Sequence, residues 1–153
     1  MTTTTTALQV LGLLLISLIV GSMFGVWRGY NPAALSATAF VEMHQGAVRG
    51  LNVLLPAMGF GCILAVASLA WLGREAPRST GLYVLAAVAM VAAGLITRFG
   101  NQPINAIVMG WGPVPPDGWQ MLRDSWWTWH LARLAAGFAG QVLLIAAIFT
   151  HRG

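Results

Sequence analysis

Four stretches of this chain carry no charged side chain over a length that can cross a bilayer, and no other feature constrains its fold as tightly. They cover residues 7–26, 50–72, 81–97 and 134–150. A span needs about 20 apolar residues, with a range of roughly 17 to 25. The hydrocarbon core offers the backbone no hydrogen-bond partner, so each run must be helical. The expected fold is therefore all-α: an integral membrane four-helix bundle, one transmembrane domain over residues 1–153. The first run reads as a span and not as a cleaved leader. Residues 1–6 hold no basic side chain, and Gly21, Ser22, Met23, Phe24 and Gly25 do not form an Ala-x-Ala site.

Composition agrees. Charged residues make up 8% of the chain, against about a quarter in soluble domains. The eight basic residues, all arginine, outnumber the four acids. They are scattered among apolar runs and form no stripe that could track phosphates, which argues against nucleic-acid binding. The single cysteine, Cys62, allows no intrachain disulfide and no cysteine-based zinc site. A multi-pass protein of this kind is expected in the cell membrane.

Two helices are expected to outrun the bilayer at one end. Asn31 followed by Pro32 reads as a cap with proline at the first helical position. Helix two would then start near Pro32 or Ser36 and run to Leu72, roughly 55 Å against a core of about 30 Å. Helix four starts near Asp117 or Gly118. Between them, Pro113, Pro115 and Pro116 impose a rigid loop, and a short helix begins at Pro103. Four spans place both termini on the side of the 73–78 turn. The overlong ends share the other side. Gly21/Gly25 and Gly46/Gly50, each pair four residues apart, fit close helix approach.

The polar residues collect at that second end. Glu42, Gln45, Arg49 and Asn52 form one stripe about 80° wide on helix two. Pro56 extends it and is expected to kink the helix. Trp119, Arg123, Trp126, His130 and Arg133 show the same spacing on helix four, continued by Gly137 and Gln141. Arg98, Asn101 and Asn105 sit at the exit of helix three. Charges in a bilayer usually face the bundle interior and pair, so Glu42 is expected to pair with Arg49, Arg98 or Arg133. Glu42, Arg98, Asn101, His130 and Arg133 should converge on one pocket. Plainer readings stand beside this. Arginines snorkel to headgroups, tryptophans form interfacial belts, and Asn101 and Asn105 can cap the short helix. His44, off the Glu42 stripe, is assigned to packing or an interface. A metal would need three convergent ligands, and Glu42 and His130, with His44 or Asp124, are the available set. A haem between His44 and His130 is conceivable on their shared depth. No resident metal or cofactor is predicted.

Three elements together resemble the anthrone oxygenase-like family of small membrane proteins. They are the run from Phe40 to Gln45 with Asn52 and Pro56, the Asn-x-Pro-x-Asn element at Asn101, Pro103 and Asn105, and the segment from Trp119 to Arg133. The last holds Arg123, Asp124 and Trp126, then His130 and Arg133. The resemblance extends from Gly21 to Gln141. It implies a four-helix membrane fold and cofactor-independent oxidation of an anthrone-like aromatic by molecular oxygen. That chemistry needs a base, a cationic environment for an enolate, and a dry flat pocket. His130 is the expected base, with Glu42 orienting it or balancing the arginines. Arg98, Arg133 and Asn101 or Asn105 would hold the oxyanion. Gln45, Arg49, Asn52, Trp119, Arg123 and Trp126 complete the expected binding set. The partners expected are a lipophilic small molecule and the lipid bilayer. Two further readings remain open: a non-enzymatic binding or accessory protein using the same pocket, and a metal or haem protein.

Overall fold

The structure, a computed structural model, describes residues 2–152, with side chains as far as Thr150. The side chains of His151, expected at a solvated terminus, and Arg152 lie outside that range. Among the described residues every regular element is helical. Helix α1 spans Thr3–Gly29, and the Thr2 hydroxyl accepts from the Thr5 amide at its start. A 3₁₀ turn at Pro32–Ala34 follows, capped by Asn31. Then come α2 (Ala37–Leu51), α3 (Leu54–Leu72) and α4 (Pro77–Ile96). A π turn at Thr97–Asn101 leads directly into α5 (Gln102–Met109), and α6 (Trp119–Arg152) closes the chain. Four helical stretches are long and apolar enough to cross a membrane: Thr3–Ala34, Leu54–Leu72, Pro77–Met109 and Trp119–Thr150. The protein is an all-α integral membrane bundle.

Helix two departs from expectation. It is two helices, α2 and α3, separated by a turn at Asn52 and Val53. Pro56 is the cause. In a continuous helix its backbone would donate to the Asn52 carbonyl, but proline has no N–H and its ring crowds that oxygen. The helix stops at Leu51 and restarts at Leu54. Its beginning is set by Ser36, whose hydroxyl accepts from the Ala39 amide, while the Asn31–Pro32 signal caps only the 3₁₀ turn.

The membrane core lies among α1, α3, α4 and α6. Ile16, Cys62, Val66, Tyr83, Leu144 and Ala147 are fully shielded there, while Leu14, Leu18, Leu64, Val88 and Phe149 face outward. That division suits a bundle whose solvent is lipid. The glycines that permit close approach are Gly137 and Gly140 on α6. A methyl at Gly137 would sit 2.9 Å from Met23 of α1, and one at Gly140 3.3 Å from Met90 of α4. Gly21, Gly25, Gly46 and Gly50 face no neighbour within 4 Å, so the two expected small-residue pairs do not serve packing within this chain. Near the termini, the Gln9 amide donates to the Tyr83 hydroxyl at 3.0 Å and ties α1 to α4.

A second, smaller core sits at the opposite end. Phe40 and Val41 of α2 pack on Ile104 and Val108 of α5, with Trp119, Leu122 and Trp126 of α6 alongside. The Gln45 amide donates to the carbonyls of Val108 and Trp111, both at 3.0 Å. Helix α2 is thereby held over the end of the bundle by α5 and the first turns of α6.

Candidate functional site

Beneath α2 lies a cavity of about 730 Å³. Its walls come from the second half of α1, from α2, from the first half of α3, from the end of α4 and from α6. They are mostly apolar, with Ile19, Met23, Met43, Leu55, Ile63 and Met90 among them. Polar side chains enter at one end: His44, Asn52, Arg98, Asn105, His130 and Arg133, with Trp126 between the two imidazoles. Tyr30, Ser22, Thr97 and Gln102 also line it, and no sequence signal marked these four out.

The polar end is tied by hydrogen bonds that also fix tautomers. Asn105 is its hub. The Trp126 indole N–H can only donate, and it lies 2.9 Å from Asn105 Oδ1. That oxygen lies 3.1 Å from His44 Nε2, so His44 must donate from Nε2. The Asn105 amide N–H donates in turn to Asn52 Oδ1 at 3.1 Å. No hydrogen bond among the described residues engages His44 Nδ1, and it is not among the sealed unpartnered atoms. Burial pushes the His44 pKa down to about 4; the bond to Asn105 opposes this and the charge of Arg133 adds to it.

His130 is fully buried, and its geometry is the reverse. Nε2 lies 3.0 Å from the Met23 carbonyl, which can only accept. Nδ1 lies 3.3 Å from Arg133 Nε and 2.9 Å from Arg133 Nη2, which can only donate. His130 is therefore a neutral imidazole with both nitrogens engaged. Its ring stacks on Trp126 at a centroid distance of 5.2 Å, and His44 meets the same indole edge-on at 5.0 Å. Of the two imidazoles, His44 is the one with an uncommitted ring nitrogen.

Arg133 is half-buried and faces no carboxylate. Among the described residues the one ion pair is Arg123 Nε with Asp124 Oδ1, at 2.7 Å. Arg133 leans instead toward the Trp126 ring, 5.9 Å from its centroid. Arg98 lines the cavity near its exposed rim, with its guanidinium over Phe99.

The remaining expected residues lie elsewhere. Glu42 is exposed on α2 and does not line the cavity, so it neither orients His130 nor pairs with an arginine. It lies two positions from His44, about 200° around a helix, and α2 turns its His44 face inward. Arg49 is exposed on the same outer side. Gln45 anchors α2 to α5. Asn101 is buried behind the cavity, donating to the Trp126 carbonyl at 3.0 Å, and its Oδ1 has no partner. Trp119 stacks on Phe40 at 5.2 Å, and Arg123 lies over Trp119, paired with Asp124. The five-residue convergence reduces to Arg98, His130 and Arg133, joined by Asn52, Asn105, Trp126 and His44. Among the described residues no three His, Cys, Asp or Glu side chains come together as a metal site would require.

A family model described as anthrone oxygenase matches residues 43–143. This chain belongs to the anthrone oxygenase family. The match takes in His44, Asn52, Arg98, Asn105, Trp126, His130 and Arg133, that is, the whole polar end of the cavity apart from the α1 wall. No curated protein and no solved structure matches the chain. Within the anthrone oxygenase family fold seen here, the polar end combines a free imidazole nitrogen, a guanidinium without a counter-ion, and a large apolar volume.

Proposed function

We propose that this protein is a membrane-embedded oxygenase acting on a lipophilic aromatic substrate of the anthrone or quinol kind, without a resident cofactor. The observation that supports this most is the cavity. Its size falls within the roughly 300–1,000 Å³ of small-molecule sites. Its walls suit a flat apolar ring system, and its polar end carries a proton acceptor next to an uncompensated cation.

The chemistry follows from those groups. An anthrone has a methylene between two aromatic rings, para to a carbonyl. An imidazole removes one methylene proton, leaving an enolate whose negative charge rests largely on the carbonyl oxygen. Arg133 stabilises that oxygen as a positioned cationic donor. The enolate is electron-rich and can react with molecular oxygen directly. One oxygen atom ends on the former methylene carbon as a carbonyl, and the other leaves as water with the two methylene hydrogens. The substrate supplies all the electrons, so no external reductant enters the balance.

The test is oxygen consumption by protein purified in detergent, given an anthrone-like substrate and no added metal. The reading expects one oxygen consumed per quinone formed. A protein that binds such compounds tightly yet consumes no oxygen would instead be a binding or accessory protein. That second reading draws support from the polar groups that already satisfy one another around Asn105.

A further inference from the structure

The two imidazoles have opposite environments, and the difference assigns them separate work. We infer that His44 takes the substrate proton on Nδ1, while His130 is a positioning residue that aims the Arg133 guanidinium at the oxyanion. This rests on the proposed oxygenase reading for its substrate, although the proton transfer can be measured without oxygen.

His44 has the free valence. Its Nε2–H is committed to Asn105 Oδ1, and the identity of that oxygen is enforced by Trp126. A neutral imidazole that donates from Nε2 carries its lone pair on Nδ1. His44 lines the cavity, and that nitrogen has no hydrogen-bond partner among the described residues. Asn52, at the turn between α2 and α3, braces Asn105 of α5 from the other side, so the ring is held by a chain of bonded side chains.

His130 cannot serve in the same way. Its lone pair already receives two N–H groups of Arg133, and its proton is held by the Met23 carbonyl. Taking a proton at Nδ1 would turn an acceptor toward Arg133 into a second cation against it. Its geometry fixes the guanidinium through Nε and Nη2. The remaining Arg133 donors are the ones available to a ligand. With no carboxylate nearby, the ligand supplies the negative charge.

The charged and titratable groups that share the cavity with His44 are Arg133 and His130 on α6, Arg98 in the π turn and Tyr30 after α1; α3 and α5 contribute none. Nothing anionic is present to hold an imidazolium until the enolate forms. Proton transfer then creates the ion pair in a single step: the C–H bond breaks, its electron pair stays on the substrate, and the proton goes to Nδ1.

The experiment is anaerobic exchange of the methylene hydrogens of an anthrone with deuterated water, catalysed by the detergent-solubilised protein. His44→Gln keeps an N–H for Asn105 at the Nε2 position and removes the Nδ1 lone pair. Exchange should fall by about 10²-fold or more. His44→Ala should fall similarly and recover on addition of free imidazole. His130→Asn keeps an acceptor for Arg133 at the Nδ1 position and cannot act as a base. It should retain exchange within about tenfold of wild type and show its loss in kcat, while His130→Ala, which frees Arg133, loses more. Wild-type exchange should be flat across neutral pH and decline as pH falls toward about 4, because protonation fills the lone pair. Undiminished exchange by a folded His44→Gln, or equal collapse of His130→Asn, overturns the assignment. So does a wild type that exchanges nothing; if it still consumes oxygen, the oxygenase reading survives alone. A wild type that exchanges but consumes no oxygen leaves the assignment standing and removes the oxygenase reading.

Discussion

At the scale of single residues the site is a matter of which lone pairs and charges remain uncommitted. Arg133 lines the cavity, and among the described residues its hydrogen-bond acceptor is neutral His130. Arg133→Ala should therefore lower kcat by about 10²-fold, as loss of a preorganised oxyanion donor does, with the protein still folded by tryptophan fluorescence. Steady-state oxygen uptake measures it, and an unchanged kcat would move the oxyanion contact to Arg98. Asn105→Asp gives a complementary result. It places a carboxylate against His44 Nε2, where an opposite charge favours the imidazolium. The acid limb of the exchange profile should move upward from about 4. A limb that stays in place would mean that His44 is not the titrating group. The sequence made Arg133, His130, Asn105 and Trp126 legible because they share depth and helical spacing. It did not show which face of helix two turns inward: Glu42 is exposed and His44 is buried. A polar face turned inward is the rule for a helix surrounded by lipid. Helix α2 lies beyond the apolar spans, where the solvent is polar, so its Phe40–His44 face turns inward and Glu42 turns out.

At the scale of elements, two backbone irregularities shape the cavity, and a proline lies close to each. Pro56 separates α2 from α3 and leaves Asn52 at the turn, facing Asn105. Pro103 follows the π turn of Thr97–Asn101, a widening of the kind often found at functional sites. Both prolines could be read from the sequence as irregularities. What could not be read was the direction in which the chain turns, since that is decided by contacts between α2 and α5. Gly100 in the π turn shows how tight the second irregularity is: a methyl there would lie 2.5 Å from the Trp129 indole. Gly100→Ala should destabilise the protein by roughly 1–3 kcal/mol, in the range of overpacking substitutions. Gly94→Ala, on the preceding turn with nothing within 4 Å, should be tolerated. Thermal unfolding in one detergent compares them, and equal midpoints would contradict the packing of α6 against the π turn.

At the scale of the whole molecule, four helices long enough to cross the membrane imply an even number of crossings. Lipid outside the bundle leaves the apolar surface uninformative about orientation, but the even number of crossings does not depend on it. In a Cys62→Ser background, single cysteines at Thr3 and Arg74 should be labelled from one side of the membrane and one at Asp117 from the other. Labelling of Thr3 and Arg74 from opposite sides would refute the span count. The larger claim is that this bundle encloses a site where oxygen meets a deprotonated aromatic. The most direct measurement supplies the purified protein with an anthrone-like substrate under heavy-isotope oxygen gas in ordinary water and reads the mass of the quinone at early times. The account predicts one heavy oxygen atom in the newly formed carbonyl and none in the original one. Label absent from the new carbonyl would contradict it.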